Sequence, residues 1–146
     1  MGDFMSEELK DVDTMNADDS ISKGTSLFGL IAEKASTNRL FVLVNKMIKN
    51  DGVDSMIIPM NIREDDFYFT LSNMKKSHVN GAYIAEEFQE SAVELLDTKE
   101  EEVLVYNRCD FVVREGEKLH GFLLEKNDVE SLEALSTIVY EQILKV

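Results

Sequence analysis

Between positions 26 and 146 the apolar residues fall into short runs whose period changes several times along the chain. SLFGLIA, beginning at Ser26, is a continuous apolar run of strand length. Leu40, Phe41, Val44, Met47 and Ile48 then recur at helical spacing. Thr37 or Asn38 is placed to cap that helix, Lys46 and Lys49 suit its C-terminal dipole, and Asp51-Gly52 supplies a positive-φ stop. DSMIIPMNI, residues 54–62, reads as a second strand, and Pro59 removes a ladder donor near its end, which predicts a strand end or a sheet edge. Glu64, Asp65 and Asp66 open a second helix that carries Phe67, Leu71 and Met74 and closes on Lys75 and Lys76. VNGAYIA supplies a third strand. EEFQESAVELLD supplies a third helix, opened by two acids and burying some of Phe88, Ala92, Val93, Leu95 and Leu96.

Beyond this threefold βα alternation the pattern shifts. Residues 98–102 are acidic and read as a loop, after which CDFVVR and KLHGFLLE flank the turn Glu115-Gly116-Glu117 as a hairpin. Asn127 or Asp128 is the expected cap of a last helix, whose stripe is Val129, Leu132, Leu135, Ile138, Val139, Ile143 and Leu144. These elements predict an α/β fold with a mainly parallel sheet covered on both faces and an antiparallel strand added. Residues 1–23 hold seven Asp or Glu, two Lys and few large apolar side chains, so residues 1–25 are expected to be a disordered acidic arm and 26–146 a single domain.

With 146 residues, 44% of them apolar, the chain can bury a core without metals or disulfides. Its apolar runs fall short of the roughly 18 residues a membrane span needs. The 29 acids outweigh 15 bases for a formal charge of -14, which repels nucleic acid and anionic membrane at long range and favours solubility or a basic protein partner. An acidic N-terminus without an apolar signal core, and a single cysteine, point to a cytoplasmic protein.

Candidate chemistry is sparse. The seven glycines are too scattered for a GxGxxG turn or a P-loop. His78, His120 and Cys109 lack metal-ligand spacing, so neither a cofactor nor a metal is expected. Cys109, at the start of a strand, reads as a buried small hydrophobe rather than a nucleophile. The acids at 64–66 and 86–87 open helices, where the dipole already accounts for them. The methionines and the Phe67, Tyr68, Phe69 run read as core or interface.

Taken in order, four segments resemble the N-terminal substrate-binding domain of shikimate dehydrogenase, a two-domain NADP-dependent enzyme. FGLIAEKASTNRLFVLVN lines up with the family's GLIG start and HSLSP motif, agreeing at Gly29, Leu30, Ile31 and Asn45. DSMIIPMNI matches a strand that carries a proline where Pro59 stands. VNGAYIAEEFQESAVELLD takes the place of GxNVTxPxK, with Gly81 matching, and CDFVVREGEKLHGFLLE parallels an AVNTVV, GKLxGYNTD hairpin at Val112, Val113, Lys118, Leu119 and Gly121. The resemblance covers residues 28–125 and implies a three-layer α/β/α sandwich with about six strands and an antiparallel hairpin.

Framework positions agree, and functional ones mostly differ. The substrate-binding serines of HSLSP correspond to Asn38 and Leu40, its histidine to Thr37 and its proline to Phe41. The lysine of the family's proton-transfer pair corresponds to Gln89, and no lysine lies between Lys76 and Lys99; the pair's aspartate corresponds to Glu125. The asparagine and threonine of NVT correspond to Tyr83 and Ala85, the motif's proline to Glu87, the asparagine of AVNT to Asp110, and that of NTD to Leu123. A polyhydroxylated acid would leave polar groups unpaired in such a pocket, at about 1 to 3 kcal/mol each. The family continues past the point matching Val146 into a Rossmann domain, so no nicotinamide is expected to bind here.

No catalytic residue is expected. The ligand-binding candidates are Asn38, Leu40, Met60, Tyr83, Ala85, Gln89, Asp110, Leu123 and Glu125. Three functions compete: a non-catalytic ligand-binding or regulatory domain for a small organic acid, an altered metabolite or a peptide; the substrate-binding half of a split shikimate or quinate dehydrogenase working with a separate NADP-binding chain; and a homo-oligomeric scaffold. The last predicts a homodimer through the 37–50 helix, whose apolar face Val42 and Leu43 enlarge, or through the last helix.

Overall fold

The structure, a computed structural model, describes residues 24–126, 129 and 131–146. The acidic stretch 1–23 lies outside the described residues. The chain runs β1 (Ser26–Ala32), α1 (Leu40–Asn50), β2 (Ser55–Asn61), α2 (Phe67–Met74), β3 (Val79–Ile84), α3 (Glu86–Ala92), β4 (Thr98–Lys99), α4 (Glu101–Tyr106), β5 (Phe111–Glu115), β6 (Lys118–Phe122) and α5 (Leu132–Leu144). Single 3-10 turns precede α1 and α2 and follow α3. The strands form one mixed sheet in the order β2-β1-β3-β5-β6-β4. β1 pairs in parallel with β2 and β3, β4 pairs in parallel with β6, and the β5–β6 hairpin joins β3 antiparallel.

Side chains alternate along each strand, so the sheet carries two cores. On one face Phe28, Leu30, Tyr83, Phe111 and Val113 meet Leu40, Val44 and Ile48 of α1 and Val139, Tyr140 and Ile143 of α5. On the other, Ile31, Ala82, Ile84, Val112 and Leu119 meet Phe67, Leu71 and Met74 of α2, Phe88 and Ala92 of α3, and Val103 of α4. This is the three-layer α/β/α sandwich. α1 and α5 share one layer, where the Tyr140 hydroxyl donates to Asp51 Oδ2 at 2.6 Å. Of the residues expected to widen a dimer face on α1, Leu43 is half-buried and Val42 exposed.

Three local expectations change. The acidic stretch 98–102 is not a loop, because β4 and the first turn of α4 occupy it. Asp97 latches it to β6: its backbone N–H donates to the Leu119 carbonyl at 2.9 Å, and its Oδ2 accepts the Leu119 N–H at 2.8 Å. Lys75 Nζ lies 3.2 Å from the same carboxylate, whose pKa falls below its ordinary value chiefly because of the Leu119 N–H. The last helix begins later than expected, with Ser131 Oγ accepting the Ala134 N–H at 3.1 Å; Asn127 and Asp128 lie outside the described residues. At α1, Asn38 Oδ1 accepts the Leu40 N–H at 2.8 Å, whereas the Thr37 hydroxyl donates back to the Lys34 carbonyl. Pro59 does sit on an edge strand, since β2 ends the sheet.

Candidate functional site

Parallel strands end together, and the carboxyl ends of β1 and β3 open onto a cleft of about 830 Å³. Its wall is made by Asn38 before α1, Tyr83 and Ala85 at the end of β3, Glu86, Glu87, Gln89 and Glu90 of α3, Tyr106 ending α4 with Asn107 and Arg108 after it, Glu125 past β6, and Leu135 of α5. Open α/β sheets bind ligands at this position because loops there leave a crevice between helices that diverge to opposite faces. The volume lies in the range of small-molecule sites.

Gln89 is 3% exposed and both ends of its amide are occupied. Nε2 donates to the Ile84 carbonyl at 3.0 Å, and Oε1 accepts from an Arg108 Nη at 2.9 Å. The other Nη of Arg108 donates to the Glu125 carbonyl at 3.2 Å. One guanidinium thus joins α3 to the chain leaving β6. Arg108 is aimed by Asn107, whose φ of 53° reverses the chain after α4, a conformation asparagine tolerates better than most residues.

Asp110 is fully buried beneath the floor. Its Oδ1 accepts the Leu124 N–H at 2.7 Å and its Oδ2 the Glu125 N–H at 2.9 Å. Burial raises its carboxyl pKa, and the two N–H bonds oppose that rise without cancelling it. Tyr83 is 5% exposed and lines the cleft, and its hydroxyl has no hydrogen-bond partner among the described residues. Burial pushes its phenol pKa up, and Asp110, Glu125 and Glu86 push it further. It therefore stays protonated.

Of the residues expected to bind ligand, the structure gathers Asn38, Tyr83, Ala85, Gln89 and Glu125 around this cleft, with Asp110 below. Leu40 and Leu123 face the two cores instead, Leu40 from the first turn of α1 and Leu123 among residues of α2, α3 and α4. Met60 lies across Gly29 and borders a separate small groove with Ile31, Phe69 and Met74. Sequence reasoning missed Arg108, Tyr106, Asn107, Glu90 and Leu135 as site residues; it read Glu86 and Glu87 as helix-opening acids, with Glu87 also at the position of a family motif's proline. Among the described residues no cluster of His, Cys, Asp and Glu is arranged to hold a metal ion. Cys109 is buried, its thiol pushed up to about 12 mainly by desolvation.

No protein-family model matches the chain, and no curated protein matches it. Solved structures do. Shikimate dehydrogenase from Aquifex aeolicus superposes with a TM-score of 0.67 at 22% identity, over 72% of this chain and 40% of that one. The fold is shared with shikimate dehydrogenases. Shikimate 5-dehydrogenase from Listeria monocytogenes, solved with shikimate and NAD, matches with a TM-score of 0.68 at 16% identity, over 75% of this chain and 38% of its own. The 5-ketofructose reductase of Gluconobacter sp. strain CHM43 matches with a TM-score of 0.66 at 15% identity, so the same architecture carries a differently named activity. The chain spans about 40% of the length of these enzymes. Among the described residues no helix is long and apolar enough to cross a membrane.

Proposed function

We propose that this chain is a non-catalytic ligand-binding or regulatory domain on the shikimate dehydrogenase fold, and that the cleft around Gln89 and Arg108 is its binding site. The state of Gln89 carries the reading. By resemblance it stands where the family places the lysine of a proton-transfer pair, and an amide exchanges no proton near neutral pH. Its two bonds, to the Ile84 carbonyl and to Arg108, make it a structural member. The Arg108 guanidinium offers N–H donors and no acceptor, so it cannot take up a proton in place of the missing acid–base group. What remains is a walled, partly buried space with polar groups pointed at it, suited to holding a molecule rather than transforming one.

The test combines a turnover assay with a ligand screen. The purified chain is expected to show no NADP- or NAD-linked oxidation of shikimate or quinate. A thermal-shift panel of small carboxylates, polyols and organic amines is expected to contain a stabiliser, since a ligand at 100 times its Kd adds about 2.7 kcal/mol. That shift should vanish in Leu135→Trp, whose indole fills the cleft from α5 whatever the ligand's charge. Turnover by the chain would overturn the non-catalytic reading, and a shift that survives in Leu135→Trp would move the site elsewhere.

A further inference from the structure

We propose that the cleft binds a small organic polycation, a protonated aliphatic polyamine, through its acidic wall and the buried hydroxyl of Tyr83. The proposal rests on the reading of the cleft as a ligand site and names the class of its ligand.

Charge is the first observation. Glu86, Glu87, Glu90 and Glu125 line the cleft against one guanidinium, and none of the four forms an ion pair with a described residue. Glu87 Oε2 accepts the Glu33 N–H at 2.9 Å, which fixes that carboxylate without neutralising it. Arg108 is already engaged by Gln89 and the Glu125 carbonyl. A half-enclosed pocket lined by one sign of charge focuses its field and concentrates ions of the other sign. A free carboxylate ligand would meet net repulsion here.

Tyr83 is the second observation, independent of the first. A phenol hydroxyl that is almost wholly buried usually has a partner, because leaving one unpaired costs the desolvation of a polar group. The Tyr83 side chain lines the cleft, and its hydroxyl has none among the described residues. It lies within reach of the charges of Asp110, Glu125 and Glu86, where an ammonium can donate to its oxygen and neutralise its surroundings. Tyr106 offers an aromatic face at the rim for a second cationic centre, and Ala85 and Leu135 offer apolar wall for the methylenes between.

The spacing favours an extended organic cation over a metal ion. The carboxylates are distributed around the wall and do not converge to a set that could hold a metal among the described residues. A cavity of about 830 Å³ suits a small molecule better than a basic protein segment.

Isothermal titration of the full chain with spermidine, in about 150 mM NaCl to screen diffuse attraction, tests this. One saturable site is expected. Its affinity should fall roughly tenfold in Tyr83→Phe and in the double variant Glu86→Gln/Glu90→Gln, and stay unchanged in Glu115→Gln/Glu117→Gln, which removes equal charge from the β5–β6 turn. No binding, or equal losses in both double variants with Tyr83→Phe unaffected, would overturn the proposal as mere polyelectrolyte attraction. Binding of shikimate or citrate with none of spermidine would overturn the cation and leave the ligand-binding reading standing. Stabilisation by no member of the panel, cation or anion, would remove both.

Discussion

A buried amide is stable only when both of its ends are occupied, and a buried hydroxyl only at a cost when it is not. Gln89 and Tyr83 are one of each, both lining the same cleft. Gln89→Ala should lower stability by about 1 to 3 kcal/mol, since it strands the Ile84 carbonyl and frees one arm of Arg108, and a urea midpoint would read the loss. Tyr83→Phe should cost nothing in the same measurement, because the group removed has no partner among the described residues. Asp110 titrates in the opposite sense to a salt-bridged carboxylate. Burial raises its folded pKa, so its contribution to stability is complete below the ordinary value near ~3.9 and is lost as pH rises through the raised one. Relative to Asp110→Asn, the wild type should therefore lose stability as pH climbs through that window; a gain would contradict the assignment. Much of the candidate site was legible at this scale by resemblance: Asn38, Tyr83, Ala85, Gln89 and Glu125 all reach the cleft. Leu40 and Leu123 did not, because which side of the sheet a side chain packs on is set by tertiary contacts that the sequence pattern does not fix. Arg108 was illegible, since its partners lie 19 and 17 residues away in sequence.

Among elements, the parts with their own apolar period were legible and the parts held by tertiary bonds were not. β1, β3, α1 and the hairpin fall where periodicity placed them. β4 is two residues long and exists through Asp97 and β6, and α4 buries Val103 while Leu104 and Val105 are each 67% exposed, so neither left a pattern to read. Two framework residues shared with the resembling family acquire physical reasons. A Cβ on Gly81 would press to 2.7 Å from the Val112 carbonyl oxygen, so Gly81→Ala should wedge β3 from β5 and cost about 1 to 3 kcal/mol. Asn45 of α1 holds the edge strand β2 by both amide ends, donating to the Ile57 carbonyl at 2.8 Å and accepting the Ile57 N–H at 2.9 Å. Asn45→Ala should leave that pair of buried groups open and shift the denaturation midpoint by a comparable amount, whereas an exposed change on the same helix such as Lys46→Ala should not.

For the whole molecule, two cores back to back on one sheet fix the position of the cleft. The packing that holds the cleft open comes from Phe28, Leu30, Phe111 and the α1–α5 layer on one side and from α2 and α3 on the other. None of that depends on proton-transfer chemistry at Gln89 or Glu125. Cys109, buried behind Gly121 and Leu96, reports on the integrity of this body. Its thiol, pushed up to about 12, should resist thiol reagents at neutral pH until the domain unfolds, at a rate that tracks global opening. The central claim is that a ligand sits at the carboxyl ends of β1 and β3, and an amide chemical-shift titration with the strongest stabiliser from the thermal panel tests it most directly. Perturbations should cluster at Asn38, at Tyr83 through Glu90, at Tyr106 through Arg108 and at Glu125. Shifts concentrated instead around Met60, Phe69 and Met74, or on the outer face of α5, would contradict it.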